Sequence, residues 1–144
     1  RRGCSADDPI ISYKEERALT IAEVSKKYDI SADTLRYYER IGLIPTVTRG
    51  SGGIRNYTQE DCNWVEFAKC MRSAGVQVEA LIEYVALFQQ GDATRECRRQ
   101  ILVEQREQLI ARIGQMQQTL ERLNKKVDNY DQHNKWQEAN LKKT

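Results

Sequence analysis

The sequence holds one histidine, two prolines and no apolar run approaching the roughly 20 residues that cross a membrane. It also lacks a signal-peptide pattern. The expected location is therefore cytoplasmic, with no membrane partner, and the four cysteines read as thiols rather than as a disulfide framework. No Ser/His/Asp set is present. Gly50-Ser51-Gly52-Gly53 is not followed by a helix opening with a lysine, so it reads as a hairpin tip and not as a phosphate-cradling loop. These absences argue against an enzyme and imply no cofactor. Metal ligands are equally sparse. His133 has no cysteine near it, and Cys62 and Cys70 stand roughly 12 Å apart along a helix at ~1.5 Å per residue, too far to share an ion.

One further absence is positional. Between Arg40 and Gln59 there is no acidic residue but there are three arginines (Arg40, Arg49, Arg55), inside a chain with 21 Asp and Glu and a net charge of only +2. Such a window is either a phosphate-facing surface or a solvated loop that lacks acids by chance, and charge alone does not separate the two.

What is present is mostly helix signal. With 40% hydrophobic and 31% charged residues, the composition suits a mostly α chain with a modest core and much solvated helix surface. Thr20-Ile21-Ala22-Glu23 is a capping box opening a short first helix. Ser31 caps a second, with Asp33 in its first turn and Gly42 at its end. Two short helices joined by a turn of about three residues form a helix-turn-helix signature. Thr46-Val47-Thr48 and Ile54 to Tyr57 predict two strands around a Gly-rich tip, a wing that must pack on the helices to persist. A third helix follows the cap at Thr58, a fourth covers about Val78 to Gln90, and Asp92 is expected to cap a fifth.

The fifth helix has the strongest periodicity. Leu109, Ile113, Met116, Leu120, Leu123, Val127 and Tyr130 alternate four and three apart, with Leu102 one heptad earlier and Arg106 the single polar intruder. About four heptads of apolar a and d positions argue for a coiled coil. Gly114 within it costs about 1 kcal/mol relative to Ala, which packing must outweigh. From Ala93 to Tyr130 the helix spans roughly 57 Å at ~1.5 Å per residue, too long to fold back on so small a domain. Pairing with a second copy, as a homodimer, is the economical solution. The expected organisation is a tail at 1–18 (opening Arg-Arg-Gly-Cys without Met, as from a truncated or re-engineered start), a winged helix-turn-helix domain with two linking helices at 19–91, a dimerisation helix at 92–130 and a polar tail at 131–144.

At these residues the chain resembles the MerR family of bacterial transcription regulators. The resemblance is carried by Ile21-Ala22-Glu23-Val24-Ser25, Thr34-Leu35-Arg36-Tyr37-Tyr38-Glu39, Ile41-Gly42-Leu43-Ile44-Pro45, Arg55-Asn56-Tyr57 and the terminal heptad helix. The stretch from Tyr57 to Phe67 is similar to the short AdhR/NmlR-like branch. The resemblance implies a winged helix-turn-helix dimer joined by an antiparallel coiled coil. It implies binding to a pseudo-palindromic double-stranded promoter with an over-long spacer, activated by distorting the DNA for RNA polymerase. It also implies that a cysteine at the Cys62 position responds to reactive aldehydes or nitrosative stress.

The residues support part of this independently. The second helix would enter the major groove with Thr34, Tyr37 and Arg40 outward, Leu35 and Ile41 inward, and Tyr38 facing either way. Arg36 and the tyrosine hydroxyls are further donors to phosphates or base edges. From the wing, Arg49, Arg55 and Tyr57 would clamp the backbone, although Arg55 equally suits a bond stitching wing to helices.

Cys62 falls in the first turn of the third helix. The helix dipole there favours thiolate, while Glu60 and Asp61 oppose it, leaving the sign open. A buried small hydrophobe is the competing reading of Cys62. Cys70 reads as core, and Cys97, among Arg95, Arg98 and Arg99, reads as a second sensor thiol or as merely exposed. A constitutive DNA-binding repressor or architectural protein without an effector, and a metal sensor, are the alternatives to thiol-based sensing.

Overall fold

The computed structural model describes residues 17–142, so Cys4 and nearly all of the expected N-terminal tail lie outside the described residues. Among the described residues five α-helices follow one another: α1 (Ile21–Tyr28), α2 (Ala32–Ile41), α3 (Gln59–Ser73), α4 (Val78–Gln89) and α5 (Arg95–Lys142). The described chain falls into two compact units, one ending at Ile101 and one beginning at Leu102.

The caps form as the sequence directs. Thr20 accepts from the Glu23 N–H while the Glu23 carboxylate accepts from the Thr20 N–H, and Thr58 and Asp61 make the same reciprocal pair at the head of α3. Glu23 is also bonded by Arg17, and these hydrogen bonds hold its carboxyl down at about 2. Ser31 caps α2, which ends at Gly42 with φ of 83°. That backbone is open to glycine and strained for other residues. The Leu43 N–H can thereby turn back to Tyr38 O at 2.9 Å and drop Leu43 and Ile44 into the core.

The core joins α1 to α4 through Val24, Leu35, Leu43, Ile44, Val47, Tyr57, Val65 and Leu81. Beside it, Trp64 and Phe67 of α3 meet Tyr84 and Phe88 of α4 as a cluster of rings, with centroids between 5.0 and 6.2 Å apart. Cys70, expected in the core, is exposed: Cys62, Val65 and Ala68 set the buried face of α3, and position 70 lies about 200° further round from Ala68.

The wing differs from the two strands expected. Among the described residues it contains no named strand, only an antiparallel bridge between Arg49 and Arg55 and another between Leu19 and Tyr57. The physical reason is a change of partners. Asn56 N–H pairs with Thr48 O at 2.7 Å, but the Val47 and Thr48 N–H groups go to the Glu39 and Asp61 carboxylates, and Tyr57 pairs with Leu19. The hairpin keeps the Gly50–Ile54 and Asn56–Thr48 bonds around its tip, and beyond them its Val47 and Thr48 N–H groups are bonded to helices.

The fifth helix also differs. Asp92–Thr94 is a short 3-10 turn, and the Thr94 hydroxyl closes it by donating to Leu87 O and Gly91 O at 2.7 and 2.8 Å. Helix α5 starts after it and continues past Tyr130 to Lys142, through the segment expected as a tail. Within the second unit, Ile113, Met116, Leu120, Leu123, Val127 and Tyr130 are all exposed, with Met116 at 69%.

Replacing Gly42 with Ala puts a Cβ into open van der Waals contact with Ile82 at 3.8 Å, so backbone strain alone sets its cost. Thermal unfolding of Gly42→Ala is expected to show a loss of about 1 kcal/mol and a lowered Tm; an unchanged Tm would remove the left-handed cap as a constraint.

Candidate nucleic-acid interface

Helix α2 presents Tyr37 and Arg40 outward from adjacent turns. Tyr37 is 45% exposed, and the Arg40 guanidinium lies 5.2 Å from its ring centroid, a cation–π pair that holds both side chains on one face. Thr34 shares that face but is half-buried, and its hydroxyl accepts from the Ser31 hydroxyl at 2.8 Å. Arg36 is exposed and paired with Asp33 at 3.0 Å, an i,i+3 surface contact that phosphate can displace at little cost. Tyr38, which the sequence left open, packs against the core.

Glu39 organises the wing. Its carboxylate accepts from Arg55 Nε at 2.7 Å, from Arg49 Nη2 at 3.2 and 3.3 Å, and from the Val47 N–H at 2.8 Å, with the side chain 8% exposed. Burial pushes this carboxyl upward. The Arg55 hydrogen bond, the Val47 N–H and the two guanidinium charges outweigh that push and leave it below the usual glutamate range. The acid immediately before the acid-free window thus serves the arginines inside it. Sequence reasoning named Glu39 only as part of a motif; its position at the edge of that window was the signal available.

Two expectations change. Tyr57, placed among the DNA contacts, is fully buried, so its ring is a core element and not a surface clamp. Its hydroxyl has no hydrogen-bond partner among the described residues, which costs about 1–3 kcal/mol, and burial raises its pKa. Arg55 is three-quarters buried on Glu39 and acts as the stitch between wing and α2, whereas Arg49, on the same carboxylate, keeps 40% of its side chain in solvent.

The thiols separate by environment. Cys62 is 2% exposed and lines a cavity of about 300 Å³ with Arg17, Leu19, Lys27, Tyr57 and Gln59. The Tyr28 phenol is close enough to feel it: burial raises the Tyr28 pKa, and the charge and hydrogen bond of Cys62 raise it further. Cys97 is exposed, but its electropositive setting is partly spent, with Arg98 bonded to Thr94 at 3.1 Å and lying over Phe88, and Arg99 within 3.8 Å of Glu96. Among the described residues no three His, Cys, Asp or Glu side chains gather as a metal set. No helix there is long and apolar enough to cross a membrane.

Because the Glu39 carboxyl ionises below its unfolded counterpart, the bonds it accepts are fully present above about pH 4.3, the ordinary glutamate value. They are lost as the pH falls through the lower folded value. Hydrogen exchange at the Val47 amide, corrected for intrinsic rate, is expected to stay protected at pH 6 and to lose protection only once the pH falls below the ordinary glutamate range. In Glu39→Gln that pH dependence should vanish, with a stability loss of about 2 kcal/mol; equal pH profiles in both proteins would contradict the anchor.

The profile for the MerR HTH family regulatory protein matches residues 19–87. The HTH-type transcriptional regulator AdhR of Bacillus subtilis is 55% identical over 92 residues, covering 64% of this chain and 66% of that protein, just under two thirds of its length. The crystal structure of a putative MerR family transcriptional regulator from Listeria monocytogenes superimposes with a TM-score of 0.81 at 45% identity, covering 88% of this chain and 100% of that one. HiNmlR, described as a MerR family regulator lacking the sensor domain and solved bound to promoter DNA, gives a TM-score of 0.74 at 29% identity, covering 80% of this chain and 91% of that one. With its helix-turn-helix, its wing and its long terminal helix, this chain belongs to the MerR family of transcriptional regulators.

Proposed function

We propose that the protein is an electrophile-responsive activator that holds a promoter as a homodimer and switches it on by distorting the spacer when Cys62 is modified. The carrying observation is Cys62 itself: a nearly buried thiol on the wall of a roughly 300 Å³ cavity, between the Lys27 and Tyr28 end of α1 and the first turn of α3. A cavity of that size has room for a small aldehyde beside the thiol. The thiolate sulfur attacks the carbonyl carbon, the carbonyl electron pair moves to oxygen and is protonated there, and the thiol's own proton leaves to solvent. The product is a hemithioacetal. The similarity to the AdhR regulator supports the same branch.

On the DNA side, Tyr37 and Arg40 are the outward residues of α2 suited to the major groove, with Arg36 and Thr34 flanking them. Arg49 supplies the wing's backbone contact. Arg55 acts through Glu39 as a positioning residue. The exposed row Ile113, Met116, Leu120, Leu123 and Val127, with Leu109 half-buried above it, is the face for a second copy. Two readers on one rigid helix pair fix their separation, and bending a 20–30 bp site smoothly costs of order 1–6 kcal/mol, which phosphate contacts must offset.

Two outcomes are expected. Arg40→Ala should weaken promoter binding, with a slope of log affinity against log salt reduced by about one per protomer if it meets a phosphate and with relaxed sequence preference if it meets a base edge; unchanged affinity would take Arg40 out of the interface. In single-round transcription on the protein's own promoter region, methylglyoxal should raise output with the wild type and not with Cys62→Ser. An equal response from both would make Cys62 structural and turn attention to Cys97.

A further inference from the structure

The first turn of α3 bonds to two places at once. The Asp61 carboxylate is 9% exposed by residue, and its Oδ2 accepts from the Thr58 N–H and the Thr58 hydroxyl, both at 3.0 Å, and from the Thr48 N–H of the wing at 3.3 Å. Cys62 is the next residue along the chain, and its own N–H donates to Thr58 O at 2.9 Å. Asp61 and Cys62 therefore ride on the same turn and cannot move independently by more than the play in one peptide unit.

The wing is held from the other side by a different helix. The Val47 N–H, one residue before Thr48, goes to Glu39 of α2 at 2.8 Å. Two successive backbone N–H groups are thus anchored to the helix that presents Tyr37 and Arg40 and to the helix that carries the thiol. A displacement of the α3 first turn relative to α2 is taken up at these two bonds, and the longer one, from Thr48 to Asp61, is the weaker of the pair. An adduct on Cys62 occupies the cavity walled by Gln59 of the same turn and by Tyr57, the residue that closes the wing onto Leu19, so it bears on both.

From this geometry we propose that Asp61 is the positioning residue that carries the state of Cys62 to the wing, through its hydrogen bond from the Thr48 N–H. The inference rests on the reading of Cys62 as the sensor. Modification of the thiol shifts the α3 cap, Asp61 loosens or loses Thr48, and the wing arginine Arg49 is re-aimed while Val47 stays with Glu39. The Glu39 anchor keeps the wing attached, so the response is a change of wing angle and not a release of DNA.

The test reads backbone hydrogen exchange at Val47 and Thr48 in the full chain. Cys62→Met enlarges the side chain permanently and needs no inducer. It is expected to speed exchange at Thr48 by about tenfold and to leave Val47 unchanged. Asp61→Ala should speed Thr48 alike, and adding Cys62→Met to it should change nothing further. Thr58→Ala weakens the same helix cap but keeps the wing bond, so it should respond to Cys62→Met as the wild type does; it separates coupling from lost stability. The proposal is overturned if Thr48 exchanges at the same rate in wild type and Cys62→Met, or if Asp61→Ala leaves Thr48 protected. Methylglyoxal induction in transcription is measured on the same proteins. Loss of induction in Asp61→Ala, with Cys62 modified to the wild-type extent by mass spectrometry, supports the coupling, and full induction overturns it. A wild type that is modified but not induced defeats the sensor reading, while the exchange experiment still decides whether Asp61 links thiol and wing.

Discussion

The DNA-binding half of the molecule depends on one buried carboxylate. Glu39 receives two guanidinium groups and a backbone N–H from a hairpin that has almost no ladder of its own. A two-stranded ribbon is marginal in water, and this one is shorter than most. Its attachment to α2 replaces the missing strand bonds with charge-assisted ones, which are stronger and fix direction as well as distance. The cost is positive charge: Arg55 is largely spent on structure, and Arg49 is shared between Glu39 and solvent. The surface cations left for DNA on this part of the chain are then chiefly Arg40, Arg36 and the free side of Arg49, which fits a protein of net charge only +2.

The two carboxylates at the wing divide the work between two helices. Glu39 binds the wing to the helix that presents the outward residues, and Asp61 binds it to the helix that carries the buried thiol. With two anchors, a shift of one helix against the other, as proposed for the modified thiol, would change the wing's angle while one bond still holds it. In a regulator whose output is proposed to depend on DNA geometry, that angle is the useful variable, since a small rotation of a phosphate-contacting arm changes which backbone atoms it reaches.

Much of this was legible in the sequence because local rules and tertiary structure agree. The caps at Thr20, Ser31 and Thr58, the stop at Gly42 and the heptad row of α5 are short-range or periodic signals, and each appears where its residues direct. What was not legible depended on long-range partners. Tyr57 and Cys70 were misplaced because a single aromatic or thiol does not announce which face of its element is covered. The wing strands failed for a sharper reason: β-branched Thr46-Val47-Thr48 has strand propensity, but its N–H groups found carboxylates before they found another strand. The extension of α5 past Tyr130 was missed because polar residues can continue a helix without adding to the apolar pattern that made it visible.

The Glu39 cluster also bears on how such a sequence can change over time. Losing either arginine leaves a buried carboxylate short of a partner, and losing the carboxylate leaves two guanidinium groups facing each other across the wing, so each single substitution is worse than its isolated chemistry suggests. Substitutions at positions 39, 49 and 55 are therefore expected to be non-additive. Outward residues such as Tyr37 and Arg40, whose cation–π contact is with each other and not with the core, carry no such buried charge. The fold thereby separates the exposed residues proposed to meet DNA from those that keep the wing in position.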